Sequence, residues 1–229
     1  MFKKFSYVFA LVLISFGLLT LSSCEKDKDD DVVDMAKVLV THASPNAPGV
    51  DLLIDDTKVN SAALSFPQST AYLDVKAGTR NVKVNVAGTT TTVISANIDF
   101  MKDKNYSLFA IDSVSKISSL LLTDDLTAPA SGKSHVRFVH LSPNAPAVDI
   151  AVTGGPVLFS NVSFKGYQGF SPVDAGTYNL EVRLAGTTTV VLPLPGIALA
   201  NGKIYTVFAR GFVGGAGAQA LNAQIIANN

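Results

Sequence analysis

The chain has 229 residues, with 18 Lys and Arg against 18 Asp and Glu, 48% apolar and 16% charged. That balance excludes a strongly basic, nucleic-acid-binding surface, and the apolar share excludes disorder over most of the length. One Cys, three His and no Trp exclude a disulfide framework and a Cys-based zinc or redox pair, and leave few groups for metal or nucleophilic chemistry.

Residues 1–4 carry Lys3 and Lys4, residues 5–21 hold no charge, and Ser22 and Ser23 lead into Cys24. A charged start, an apolar run and small residues make a secretory signal, expected over residues 1–23. The rival is a transmembrane anchor, although 17 uncharged residues stand at the lower edge of what spans a bilayer. Leu21-Ser22-Ser23-Cys24 resembles the lipobox of bacterial lipoproteins. The resemblance implies cleavage before Cys24, acyl chains on its thiol, and a membrane as partner through that lipid; stable anchoring takes more than one chain.

Residues 24–35 form the expected tether, with 2 basic and 6 acidic residues over 25–35. Such a run is ordinarily solvated chain. Directly behind the Cys, it also resembles the export signal of surface-exposed Bacteroidetes lipoproteins. That implies an outer-membrane lipoprotein facing the cell exterior, with the periplasmic face as the alternative.

The rest of the chain is written twice. His42-Ala43-Ser44-Pro45-Asn46-Ala47-Pro48-Gly49-Val50-Asp51 returns 98 residues on as His140-Leu141-Ser142-Pro143-Asn144-Ala145-Pro146-Ala147-Val148-Asp149. Ala77-Gly78-Thr79 and Ala87-Gly88-Thr89 return at the same offset, and Tyr106-Ser107-Leu108-Phe109-Ala110 returns as Tyr205-Thr206-Val207-Phe208-Ala209 at 99. Repeats in fixed order mean one module duplicated, expected over 36–130 and 131–229.

Each copy reads as about seven short strands. Residues 81–86 and 179–184 alternate apolar and polar side chains, the mark of a strand with one buried face. Residues 38–41, 50–54, 72–75, 91–94, 106–111 and 117–122 complete the first set, rich in Val, Thr and Tyr. The Ala-Gly-Thr triplets are expected to supply Gly at hairpin bends. The fold class is all-β: two tandem antiparallel immunoglobulin-like β-sandwiches, each with its own core and able to fold alone. A breaker-rich connection is expected at 123–134, through Asp124-Asp125, Pro129 and Ser131-Gly132. The tail 211–229, rich in Gly and Ala, either adds a last strand or frays. The second module is mildly basic, with 6 basic and 3 acidic residues against 8 and 9 in the first.

The His-x-Ser-Pro-Asn-Ala-Pro-x-Val-Asp start, the Ala-Gly-Thr turn before an alternating strand and the closing Tyr-x-x-Phe-Ala strand resemble the domain of unknown function 4397 family. Its members occur in bacterial secreted and surface proteins, and the family name transfers no functional residue.

Candidate site residues are Cys24 for lipidation and the repeated His42, Ser44, Asn46, Asp51 with His140, Ser142, Asn144, Asp149. A hydrolase would need Ser beside a His oriented by a carboxylate, but no Gly-x-Ser-x-Gly elbow exists. The bland reading is a rigid strand-to-strand loop, since Pro fixes φ and Asn tolerates turn geometry. Asp55-Asp56 and Asp124-Asp125 read as turns and lack the alternating oxygens of a calcium loop. Tyr72, Tyr167 and Tyr178 are the aromatics available to a sugar, or else core residues, and His135 is incidental. No cofactor or metal is called for. The expected function is non-catalytic display for adhesion, scaffolding or binding of a surface glycan or protein. A structural spacer is the alternative, and a hydrolase the least favoured.

Overall fold

In the computed structural model, which describes Val33–Asn229, each repeat is built from two four-stranded sheets. The expected signal segment, Cys24 and nearly all of the acidic tether lie outside the described residues.

The first repeat contains β1 (Met35–His42), β2 (Val50–Ile54), β3 (Thr57–Lys58), β4 (Leu73–Lys76), β5 (Gly78–Val86), β6 (Thr92–Phe100), β7 (Asn105–Ile111) and β8 (Ser118–Asp124). The second contains β9 (Lys133–His140), β10 (Val148–Val152), β11 (Val157–Val162), β12 (Tyr167–Asp174), β13 (Gly176–Leu184), β14 (Val190–Leu199), β15 (Ile204–Arg210) and β16 (Asn222–Ala227). Sheet order is β4-β1-β7-β8 with β3-β2-β5-β6, repeated as β12-β9-β15-β16 with β11-β10-β13-β14.

Alternation decides which face of β5 is buried. Val82 and Val84 point into the first core beside Val38, Val40, Leu52 and Phe100, while Asn81 lies outside and donates Nδ2 to Asn97 Oδ1 at 2.9 Å. The second core gathers Phe138, Ile150, Phe159, Leu180 and Val182. Each fully buried side chain of this kind contributes about 1.5–3 kcal/mol of apolar transfer. Tyr106 and Tyr205, the repeated closing tyrosines, accept hydrogen bonds at the phenol oxygen from Met101 N (3.0 Å) and Ala200 N (3.2 Å), pinning the loop before each strand.

Three expectations change. The sheets are not wholly antiparallel: β1 runs parallel to β7 and β9 parallel to β15. Ala77-Gly78-Thr79 is no hairpin bend but the corner where the chain passes from one sheet to the other, with Gly78 at φ +93°. The expected connection shortens to 125–132, because Thr123 and Asp124 finish β8 while Lys133 and Ser134 open β9. Of the two alternatives for the tail the last strand is found, since β16 pairs with β15 from Tyr205↔Ala227 to Arg210↔Asn222.

Each sandwich has the core expected of it, and the two also share one. A third core of Ala43, Phe109, Ile111 and Leu122 from the first repeat and Val139, Leu141 and Phe208 from the second joins the two sandwiches. The rings of Phe109 and Phe208 meet edge to face, 6.0 Å between centroids. β7 is buried at every position from Tyr106 to Ile111, and β15 from Thr206 to Ala209. Val33–Asn229 forms one compact unit holding all three cores.

Candidate functional site

The repeated loop begins where β1 and β9 end. His42 and His140 are fully buried, facing inward in step with Val40 and Phe138. Their Nε2 atoms lie 2.9 and 3.1 Å from the carbonyl oxygens of Pro48 and Pro146. A carbonyl only accepts, so Nε2 carries the proton and donates. Nδ1 is left as a buried lone pair with no partner in either copy. Burial lowers the pKa of both imidazoles below the ordinary value near 6.5, against the smaller raising effect of their backbone hydrogen bonds. Both rings are neutral at physiological pH.

The remaining motif residues tie the loop to its neighbours. Ser44 Oγ donates to Asp112 O at 2.6 Å and Ser142 Oγ to Gly211 O at 2.7 Å. Asn46 Oδ1 accepts from Val114 N at 2.8 Å. Asn144 uses both ends of its amide, donating to Val213 O (3.0 Å) and accepting from Val213 N (2.9 Å). Asp51 accepts from Gly88 N at 3.0 Å and pairs with Lys58 at 2.8 Å. The hydrogen bond from Lys58, then that from Gly88, holds its carboxyl below the usual range. Asp149 accepts from Gly186 N at 2.9 Å and Asn161 N at 2.6 Å.

His, Ser and Asp therefore serve three different partners and do not bond one another. Together they sew three loops into one rigid end of each sandwich: the motif loop, the β5–β6 or β13–β14 hairpin, and the segment after β7 or β15. Ala87 N and Ala185 N add bonds of 2.9 and 3.1 Å to Gly49 O and Ala147 O. Among the described residues, no three His, Cys, Asp or Glu side chains gather as a metal site needs.

Sequence reasoning missed a second polar cluster, at the interface between repeats. Arg137 Nη1 lies 2.6 Å from Asp124 Oδ1, and both side chains are almost wholly buried. Arg137 also donates to Thr206 Oγ1 (2.8 Å) and Ser107 Oγ (2.7 Å). Ser107 passes the bond to Asp124 Oδ2 at 2.7 Å, as does Tyr72 OH at 2.5 Å. Asn228 closes the ring, donating to Tyr72 OH (3.0 Å) and accepting from Thr206 Oγ1 (2.7 Å). Burial first, and the Asp124 carboxylate second, push the Tyr72 phenol above its ordinary pKa. Arg137 further sits over the Phe170 ring, 4.6 Å from its centroid.

Asp124, expected in a turn, is thus a buried strand residue. Asp55-Asp56 does form a turn, with both residues at positive φ. Tyr72 belongs to the interface, Tyr178 donates to Asp174 O at 2.8 Å, and Tyr167 is 53% exposed. His135 is half-buried near the start of β9. The signal that marks the interface is a single Arg set inside the apolar run of β9, Val136-Arg137-Phe138-Val139.

The model of the family Domain of unknown function (DUF4397) matches residues 36–151 and again 148–229. The chain belongs to this family. No curated protein matches it. Among solved structures, this DUF4397 pair is similar to the C-terminal domain of AlgF from P. aeruginosa, at 20% identity over 42% of this chain and 98% of that one, TM-score 0.32. It is also similar to a family CBM26 module of Eubacterium rectale Amy13K solved with maltoheptaose, at 9% identity over 83% and 96%, TM-score 0.25. The Bacillus anthracis TIE protein gives 12% identity over 85% of this chain and 43% of that one, TM-score 0.26. Likenesses this distant carry no argument about function.

Proposed function

We propose that this DUF4397 pair is a non-catalytic binding body of the bacterial cell envelope, held to the outer membrane by lipid on Cys24. It engages a surface glycan or protein through the loop ends of its sandwiches. The observation that carries the reading is the loop end itself. In each repeat the motif Ser, Asn and Asp fix three loops against one another and the His holds the motif loop to itself, as a scaffold must if its loops are to present a constant surface. Two such ends on one body also raise avidity when both engage.

The test presents purified Val33–Asn229 to glycan and protein arrays, beside full-length protein in cells. Saturable binding to one ligand class supports the reading, as do loss of palmitate labelling in Cys24→Ser and protease sensitivity on intact cells. Turnover of an ester, peptide or glycoside that disappears in His140→Ala overturns it in favour of a hydrolase. A rigid spacer is the second reading, favoured by the locked interface between repeats. Silence on every array with normal surface display would select it.

A further inference from the structure

We infer that the second module holds a compact, neutral, apolar small molecule, carrying an aromatic ring or short alkyl group, in a cavity beneath the His140–Pro146 loop. The inference goes beyond the binding reading above and assigns a separate ligand to one loop end. The cavity has a volume of about 250 Å³. The floor is buried and apolar, with Val148, Val182 and Ala209 each 2–3% exposed. The rim is apolar too, yet open to solvent: Val191 is 38% and Val213 48% exposed. Protein interiors leave few voids larger than a water, and an apolar cavity of about 150 Å³ suffices to hold benzene. A space this size therefore has room for one small ligand and none for an oligosaccharide.

The polarity of the walls sets the ligand's charge. No charged side chain lines the cavity, and its one titratable group, His140, donates Nε2–H to Pro146 O while burial lowers its pKa. A buried charge there would have no counterion, which is costly. The wider hollows beside Ser61–Thr70 and Asp103–Thr127, of about 490 and 770 Å³, are more open and mix polar with apolar walls.

The mouth is built rather than left over. The chain takes five more residues from Ala209 to Leu221 than from Ala110 to Ile117, their counterparts by strand register. That extra length is a Gly-rich loop folded tightly back on itself. Phe212 N donates to Gln219 O (2.8 Å) and Leu221 N to Phe212 O (2.9 Å). A Cβ on Gly211 would run into the Ala220 carbonyl, and one on Gly215 would lie 2.5 Å from Gln219 O, so only glycine fits. The two hydrogen bonds from Asn144 then fix Val213 at the rim. The repeated motif, on this view, is the clasp that positions the wall of a pocket.

The test is a methyl-labelled NMR titration of Val33–Asn229, which holds all three cores, with benzene, indole and 1-hexanol. Benzoate and hexanoate serve as charged counterparts. Saturable shifts confined to the methyls of Val148, Val182, Val191, Leu192 and Val213, absent with the anions, are expected. Val213→Asp at the solvent-exposed rim and Ala209→Leu filling the interior should each weaken binding at least about tenfold, with first-module methyls unmoved. If Ala209→Leu perturbs the fold, Val213→Asp decides. Absence of saturable shifts with every neutral probe overturns the inference, as does equal binding of benzoate and benzene, or an unchanged affinity in Val213→Asp. So does binding of a Phe-bearing peptide when no free probe binds. An array ligand whose binding is indifferent to Val213→Asp would refute the cavity while sparing the binding reading. Cavity binding with silent arrays would do the reverse.

Discussion

The two copies of the module meet through equivalent positions, but they do not bring equivalent residues. Phe109 faces its counterpart Phe208 across the third core, and Ala43 and Leu141, also counterparts, both line it. The polar ring beside this apolar patch is one-sided. Arg137 stands where the first copy has Leu39, and Asp124 where the second has Asn228, while Ser107 corresponds to Thr206. The apolar face is self-complementary, whereas the ring's single cation stands on one copy and its single anion on the other. The pair is now a heterodimer in one chain, whose halves cannot exchange roles.

The severest way to break this comparison is to separate the halves. Residues 131–229 expressed alone would expose Val139, Leu141 and Phe208 and leave Arg137 without Asp124. We expect that fragment to lack a cooperative unfolding transition in circular dichroism, whereas Val33–Asn229 unfolds in a single one. A fragment that melts cooperatively at a temperature near that of the whole would show the third core to be docking between finished domains.

Much of this organisation is legible in the residues. The alternation of Asn81 to Val86 marks an outer-sheet strand with one wet face, and Val50–Ile54 is observed with the bounds expected of it. The inner-sheet strands are legible as strands, but their second burial is not. Leu108 to Ile111 runs apolar without alternation, as a strand covered on both faces does, but Ser107 and Arg137 break the apolar runs of β7 and β9. A short apolar run alone does not say what covers its second face. The motif residues were found by repetition, yet repetition cannot show that Asn144 grips Val213. That contact joins residues 69 apart in sequence. The Arg137–Asp124 pair is hidden because neither residue recurs in the other copy, and Asp124 beside Asp125 imitates a turn.

The next test acts on the polar ring. Arg137→Leu installs the residue found at the matching position of the first copy and leaves the Asp124 carboxylate buried without its cation. Removal of one partner from a buried ion pair costs about 3–5 kcal/mol, read as a lowered urea midpoint. Adding Asp124→Asn, the amide counterpart found at Asn228, should recover most of that loss, because the uncompensated charge is gone. A single variant within about 1 kcal/mol of the native protein would mean that water reaches Asp124 and the ring does not lock the halves.

Acid acts on both copies alike, and so tests what they still share. His42 and His140 have folded-state pKa values below the ordinary 6.5, so the unfolded chain takes up protons first as pH falls. Their contribution to stability is intact above about pH 6.5 and is lost as pH falls from there toward the lowered folded values. Urea midpoints should decline over that interval, and less so in the double variant His42→Gln, His140→Gln. A double variant that keeps the full decline would assign it to the carboxylates instead.

The smallest effect separates the two clasps. Asn46 makes one hydrogen bond to Val114, Asn144 two to Val213, and each such bond is worth about 0.5–1.5 kcal/mol net. Both sites are exposed, so alanine leaves no buried polar group stranded and the cost stays near the value of the bonds lost. Asn144→Ala should therefore destabilise by about 1–2 kcal/mol and Asn46→Ala by roughly half as much. Amide hydrogen exchange locates the change: Val213 N–H should lose protection in the first variant and Val114 N–H in the second, each without effect on the other end. Equal costs would mean that the bond donated to Val213 O adds nothing. Asn144 would then hold the longer loop no more firmly than Asn46 holds the short turn of the first copy.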